Sequence, residues 1–275
     1  MTLLGRETDS GAGLEARGWE LVWRVCHDQV FRVERGEWDL PARVGDREDL
    51  FGWVVMKGLM CREVGLRDRY MLELMGPGDI VQPSAVAEAP ALGGPVRLTA
   101  ATQTTLMVLG PKFIRLTARW PAGLAVVNHR IESQRQRLAI QALIAHLPRA
   151  EHRLLLQMWH LAERWGRVTG EGIVLELPLT HDMLGHLAAA RRSTSTLALG
   201  ALESDGLIRR LDDGSWLLTG QAEARVKRLA RTNRTARVLG ETLKLRQLTT
   251  EAREESRALR AEAKQLRSKR GGPVR

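Results

Sequence analysis

The side chains best suited to chemistry cluster in the second half of the chain. Arg191 and Arg192 open the stretch RRSTSTLALGALESDG, Ser193 and Thr196 follow, and Arg209-Arg210 comes just after it. A guanidinium bonds bidentately to guanine O6 and N7, and hydroxyls reach bases or phosphates, so this set suits a nucleic-acid duplex. Thr180 and His181 stand at what reads as a helix start, where backbone N–H groups can hold a phosphate. Arg209 and Arg210 would then meet the DNA backbone or the minor groove. The competing reading is a solvated face on a domain that docks another protein.

Other constellations are poor. Cys26 and Cys61 are too few for a disulfide framework, a four-cysteine zinc site or an all-cysteine iron–sulfur site within one chain. Cys26-His27 or Cys61 would be the ligands for a haem, but isolated cysteines on apolar strands usually serve as small core hydrophobes. His181 and His186 are five apart, off a common helical face, which argues against a zinc pair. Glu176, Asp182 and His186 form no catalytic set, and Gly76-Pro77-Gly78 reads as a turn and not a phosphate loop. The sequence thus points away from an enzyme, with no cofactor and no metal.

The arginines need a scaffold, and the local pattern predicts one. Ile173–Leu177 reads as a short strand. Thr180 is a good N-cap for a helix over His181–Leu187, and Ala188-Ala189-Ala190 forms a turn. A second helix starts at Arg191 or Arg192 and ends near Asp205, with Gly206 just beyond it. Its period turns Ala198, Leu199, Ala201 and Leu202 inward and leaves Arg192, Ser193, Thr196 and Gly200 outward. Asp212-Asp213-Gly214 between Leu207–Leu211 and Ser215–Leu218 is a hairpin signal. Strand, helix, tight turn, helix and hairpin make a winged helix-turn-helix. In that motif the N-terminal residues of the second helix meet base edges.

Upstream, two helices precede this unit. Pro121 suits a first turn, and Leu124, Val127, Ile131, Gln134 and Leu138 recur at 3–4 spacing, as a dimerisation seam or an intrachain stripe. After Pro148, Leu154, Leu155, Met158, Leu161, Ala162 and Trp165 share one face of a second helix that ends at Gly166. Residues 19 to about 109 show short apolar segments broken by turns, the pattern of an antiparallel β domain. Its strands are expected at Leu21–Val25, Val30–Val33, Trp53–Met56, Leu59–Val64, Tyr70–Leu74 and Leu106–Leu109. Turns are expected at Arg35-Gly36, Gly45-Asp46, Gly65 and Gly76–Asp79, with a loop or short helix over Gln82–Pro95.

The 275 residues carry a net charge of +10. That charge is local: residues 221–275 hold 16 Lys/Arg against 6 Asp/Glu, whereas residues 1–220 hold 26 of each sign. Basic charge therefore says nothing about the body, and the tail reads as a charged helical arm. Val238, Leu245, Ala252, Leu259 and Leu266 recur every seven residues there, but the complementary seam positions are mostly polar. No run approaches 18 apolar residues and the N-terminus lacks a secretory apolar stretch, so a soluble cytoplasmic protein without membrane contact is expected.

Leu177–Arg210, LPLTHDMLGHLAAARRSTSTLALGALESDGLIRR, closely resembles the DNA-binding domain of Crp/Fnr-type transcription regulators. HLPRAEHRLLLQMWHLAERWG (146–166) is similar to their helix after the dimer helix, and LELMGPGDIVQP (72–83) to the turn of their cyclic-nucleotide-type β-roll. The resemblance implies an α+β chain: a flexible arm over 1–18, a β-roll over 19–111, a dimerisation helix over 112–147, a winged helix-turn-helix over 148–220 and a basic helical tail over 221–275. It implies a homodimer on a pseudo-palindromic operator in double-stranded DNA, with Arg192 in the position of the base-reading arginine. Ser193 and Leu197 depart from the family's usual residues, so its consensus operator does not transfer.

The effector pocket departs further. The family's ribose-binding glutamate falls at Pro83 and its phosphate-binding pair near Gly94-Pro95, which argues against cyclic nucleotides. Arg97 is a weak substitute, against a plain structural role in or beside a strand, and any small-molecule effector is unknown. The alternative to a DNA-binding regulator is an interaction scaffold whose winged helix and tail dock a partner such as RNA polymerase.

Overall fold

The computed structural model describes residues 12–38, 50–66, 69–83 and 96–232. The chain divides into a compact unit up to Val226 and a second from Lys227, of which Lys227–Thr232 are described. The expected turn Gly45-Asp46, residues 84–95 and the Val238–Leu266 repeat lie outside the described residues.

Short, mostly apolar segments form eight strands among the described residues of this region: β1 (Val30–Val33), β2 (Gly36–Glu37), β3 (Gly52–Lys57), β4 (Met60–Leu66), β5 (Arg69–Met75), β6 (Ile80–Val81), β7 (Val96–Ala100) and β8 (Thr104–Leu109). They pair antiparallel in two four-stranded sheets, ordered β1-β8-β3-β6 and β2-β7-β4-β5. Trp38, Trp53, Val55, Met60, Leu98 and Leu106 are buried together in one core cluster, with the Trp38 and Trp53 rings edge-on at 5.2 Å. This is the expected β-roll. Gly65 is not a turn; it lies inside β4 opposite Tyr70.

The first helix corrects the reading of the N-terminus. Leu21–Val25, expected as a strand, lies in α1 (Ala12–Cys26), which begins within the stretch expected as a loose arm. Trp19, Val22, Trp23 and Cys26 recur at helical spacing, but taken alone the five residues Leu21–Val25 mimic a strand. Val22 and Cys26 join Val54, Met107, Phe113 and Val127 in a second core cluster.

The expected dimerisation helix is two helices, α2 (Pro111–Arg119) and α3 (Pro121–Ala145). Proline disfavours a helical conformation in the residue before it, and Trp120 sits at φ −138°, ψ 84°. Each helix carries its proline in the first turn, where the missing N–H costs no hydrogen bond. No helix among the described residues is long and apolar enough to cross a membrane.

Next come α4 (Ala150–Trp165), β9 (Gly166–Thr169), β10 (Gly172–Leu175), α5 (His181–Leu187), α6 (Arg192–Ser204), β11 (Ile208–Arg210), β12 (Trp216–Thr219) and α7 (Gly220–Thr232). The four strands form a third antiparallel sheet, ordered β11-β12-β10-β9. The whole is an α+β chain with a β-roll ahead of a long helix and a winged helix-turn-helix.

Candidate nucleic-acid interface

Local chemistry fixes the two helices of the helix-turn-helix. Met183 N–H donates to Thr180 Oγ1 (3.2 Å), so Thr180 caps α5. At the other end, Gly206 follows α6 with φ +67°, the left-handed conformation that suits glycine beyond a helix end. The turn between the helices is tight. Ala189 adopts φ +48°, and a Cβ on Gly185 would lie 2.9 Å from Ser195 Oγ, so only glycine lets α5 pack this close to α6.

Ser195, Ala198, Leu199 and Leu202 are the buried face of α6. Arg192, Ser193 and Thr196 are all exposed, as is Arg191 at the helix start, so the structure brings the predicted reading residues together on one face. Ala201, expected inward, is exposed; it sits about 100° round the helix from Leu202, beyond the edge of the buried stripe. Arg192 Nε stands 3.3 Å from Asp182 Oδ1 of α5, and Thr196 Oγ1 donates to Arg192 O. His181 opens α5, exposed, with its ring 6.1 Å from that of Trp216.

The wing arginines have partners of their own. Arg209 Nη2 meets Glu171 Oε2 at 2.5 Å. Arg210 Nη1 donates to Leu179 O (2.9 Å), and its guanidinium lies over the Trp216 ring at 4.6 Å. Arg210 therefore braces the wing against the segment before α5, a duty its sequence position does not reveal. At the wing tip, Asp213 accepts from Ser215 N–H and Oγ–H, which holds its carboxyl below the usual carboxylate range.

Sequence reasoning missed the residues that join this unit to the rest. Arg153 of α4 donates to Ala188 O (2.8 Å) in the turn and to Leu147 O (2.7 Å). His186 Nδ1 lies 3.1 Å from Glu63 Oε1 of β4, and its ring is 5.3 Å from Tyr70. Asp79, only 1% exposed, meets Arg137 of α3 at 2.5 Å and Arg164 of α4 at 2.7 Å, and accepts from Gly76 N–H at 2.8 Å. One carboxylate in the Gly-Pro-Gly-Asp turn thus ties the β-roll to both helices.

The seam residues of α3 divide. Val127 and Ile131 are buried in their own chain's core, and Gln134 accepts from Ile80 N–H and donates to Glu73. These three therefore serve the β-roll; a 3–4 stripe records that one face is covered, not by what. Leu124 is half-buried against that same core, and Leu138 is half-buried between α3's outer face and the β-roll side of the helix.

A cavity of about 200 Å³ opens between α3 and the β-roll, with Arg62, Glu73, Met75, Gln82, Gln134 and Arg135 in its lining. Burial pushes the Glu73 carboxyl above its ordinary range despite Arg62 at 2.7 Å. Arg97 is not in this lining. It is 56% exposed and faces Glu37 (3.4 Å) and Glu63 (3.8 Å), as a strand residue in β7. Both cysteines are buried, which pushes the Cys26 thiol to about 11 and the Cys61 thiol to about 12. Both stay protonated at neutral pH.

Comparison with known proteins gives the same picture. Residues 152–219 match the Crp-like helix-turn-helix domain. A mutant of CooA from Carboxydothermus hydrogenoformans is similar in structure at 16% identity and a TM-score of 0.59, over 82% of this chain and 98% of that one. A CRP-family transcriptional regulator of Thermus thermophilus follows at 18% identity and 0.53, over 72% and 96%. The c-di-GMP-responsive global regulator CLP of Xanthomonas campestris has 17% identity and 0.54, over 74% and 99%. No curated protein gives a sequence match. The resemblance to Crp/Fnr-type regulators is borne out, and the scaffold alternative is not favoured.

Proposed function

We propose that this chain, with a Crp-like helix-turn-helix domain in a Crp/Fnr-type fold, is a homodimeric transcription regulator that reads a pseudo-palindromic operator in double-stranded DNA. The observation that carries the proposal is α6. It exposes Arg192, Ser193 and Thr196 on one side and anchors Ser195, Ala198, Leu199 and Leu202 on the other. Arg192 reads guanine, exchanging Asp182 for a base edge when DNA binds. Ser193 and Thr196 reach bases or phosphates, the N-terminus of α5 at Thr180 and His181 holds a phosphate, and Arg191, Arg209 and Arg210 contact the backbone.

The division of labour follows the segments: residues 19–111 sense, 112–147 dimerise, 148–220 bind DNA, and the basic stretch 221–275 adds affinity without sequence preference. The second copy packs along α3, where Leu124 and Leu138 flank an exposed stripe of Asn128, Glu132, Gln136 and Ala139. An effector enters the cavity beside Glu73 and Gln134. Pro83 offers no carboxylate for a ribose, which supports a regulator independent of cyclic nucleotides.

The test is a gel shift on duplexes selected from a random pool, in rising salt, beside unselected DNA. Phosphate contacts impose a steep salt slope, and Arg192→Ala costs about 1–3 kcal/mol on the selected site with little change on random DNA. Equal losses on both would refute the role of Arg192. Footprinting with light scattering tests the symmetry: a dimer protects two half-sites about 10–10.5 bp apart or a multiple, and a monomer on one half-site refutes it.

A further inference from the structure

The geometry points to Leu197 as a specificity-determining residue that recognises the 5-methyl group of a thymine in the major groove. This rests on the DNA-binding reading of α6 and names part of what that helix reads. Leu197 is 77% exposed, and it lies in the second turn of α6, in the middle of its surface. The buried residues Ser195, Ala198, Leu199 and Leu202 define the inward direction. At about 100° per residue, the opposite direction belongs to Ser193, Leu197, Gly200 and Ser204, all of which are exposed.

A single exposed leucine needs no explanation in general; its neighbours make this one informative. The rest of the outward stripe, with Arg192 and Thr196 beside it, is cationic, hydroxylic or glycine, a surface made for hydrogen bonds. Leu197 neither donates nor accepts. Placed against C, G or A it would leave their donors and acceptors without partners. The thymine methyl is the apolar feature of the major groove, and a branched aliphatic side chain is its complement. Room is available as well: Gly200, one turn further along, carries no side chain, and nothing lies within 4 Å of where its Cβ would stand. A base edge can therefore close onto Leu197 from that side. The same reasoning separates the roles on the helix, with Arg192 for a guanine near its start and Leu197 for a thymine about one turn on.

The experiment uses the full chain and duplexes enriched from a random pool. Each thymine of an enriched duplex is replaced in turn by deoxyuridine, which keeps the pairing and removes only the methyl. The wild type is expected to lose about fourfold in affinity at one thymine position, the worth of one buried methyl. Leu197→Ala is expected to be indifferent to that replacement, to accept other bases there, and to melt as the wild type does. If no thymine responds, or if the response persists in Leu197→Ala, the assignment fails while the DNA-binding reading stands. If Leu197→Ala instead loses self-association and keeps the deoxyuridine response, the side chain makes a protein contact and the assignment is overturned. If the pool yields no enriched duplex, the DNA-binding reading fails, and this assignment with it.

Discussion

Asp79 offers the sharpest test of how the β-roll is joined to the helices. Its carboxylate is buried and receives Arg137, Arg164 and the Gly76 N–H. Removing one partner from a buried ion pair costs about 3–5 kcal/mol, because the remaining charge is left uncompensated. Here the two arginines keep 24% and 18% of their side chains exposed and recover some water, which places Asp79→Ala at the lower end. The orphaned Gly76 N–H adds about 1 kcal/mol. The expected loss is therefore about 3–4 kcal/mol, or roughly 6–16 °C in Tm for a chain of this size. Asp79→Asn keeps an acceptor for Gly76 and should lose about 1 kcal/mol less. Urea unfolding of both variants, and of each combined with Arg164→Met, isolates the coupling between turn and helix. A loss below about 1 kcal/mol for Asp79→Ala would show that the carboxylate is solvated and unpaired, and additivity with Arg164→Met would show that Arg164 is not energetically coupled to it.

Three further outcomes follow from particular groups. Burial raises the Glu73 pKa above its ordinary 4.5, so the native state holds this proton more tightly than the unfolded chain. Its contribution to stability is greatest in acid and falls as pH rises from 4.5 through the raised value. The stability difference between wild type and Glu73→Gln, from urea melts across that window, should shift against the wild type as pH rises; a pH-independent difference refutes the burial argument. Ala189 sits at φ +48°, where an L side chain costs about 1–2 kcal/mol. Allowing for the greater backbone entropy of glycine, Ala189→Gly should stabilise by about 0.5–1 kcal/mol, and a destabilised variant would contradict this. Millimolar cAMP or cGMP should leave the thermal melt unmoved, because a nucleotide at 100 times its Kd would add about 2.7 kcal/mol; a clear rise in Tm refutes the reading of Pro83.

What was legible in the sequence was what is decided locally. The α5–turn–α6 unit depends on a cap at Thr180, a left-handed residue at Gly206, an Asp-Gly hairpin turn and a 3.6-residue period. Each is fixed within a few residues, so α5 fell where expected and Arg192, Ser193 and Thr196 emerged on the open face. The β-roll was less legible. Its two-residue strands β2 and β6 are too short to carry a period, and α1 looked like a strand over five residues. The contacts of Asp79 and Glu63 were invisible, because their partners lie far along the chain: 58 residues separate Asp79 from Arg137, and 123 separate Glu63 from His186. The bracing contacts of Arg153 and Arg210 gave no signal either. Arginine is abundant throughout this chain, and only the fold shows which guanidinium braces a backbone carbonyl.

The same long-range contacts bear on how a signal in the β-roll would reach α6. Regulation by domain movement requires two arrangements whose balance a ligand can tip. In the arrangement seen here, Arg164–Asp79 and His186–Glu63 both span the β-roll and the DNA-binding half, and one of them is anchored on a buried carboxylate. Releasing a hydrogen bond to a charged group costs about 1.5–3 kcal/mol. A ligand that frees the Asp79 link alone must therefore favour the released state by roughly 10- to 150-fold in affinity. Glu73 is placed to exert that preference. It lines the cavity, bonds Gln134 of α3, and interacts electrostatically with Asp79 and Arg137. A ligand that neutralised or displaced the Glu73 carboxylate would change the field at Asp79, and Arg137 and Arg164 would feel the change through the carboxylate they share. For such a ligand the route from cavity to helix-turn-helix would run through two acidic side chains of the β-roll, and by linkage it would work in either direction: DNA that favoured one placement of α4 would change the ligand's affinity by the same factor.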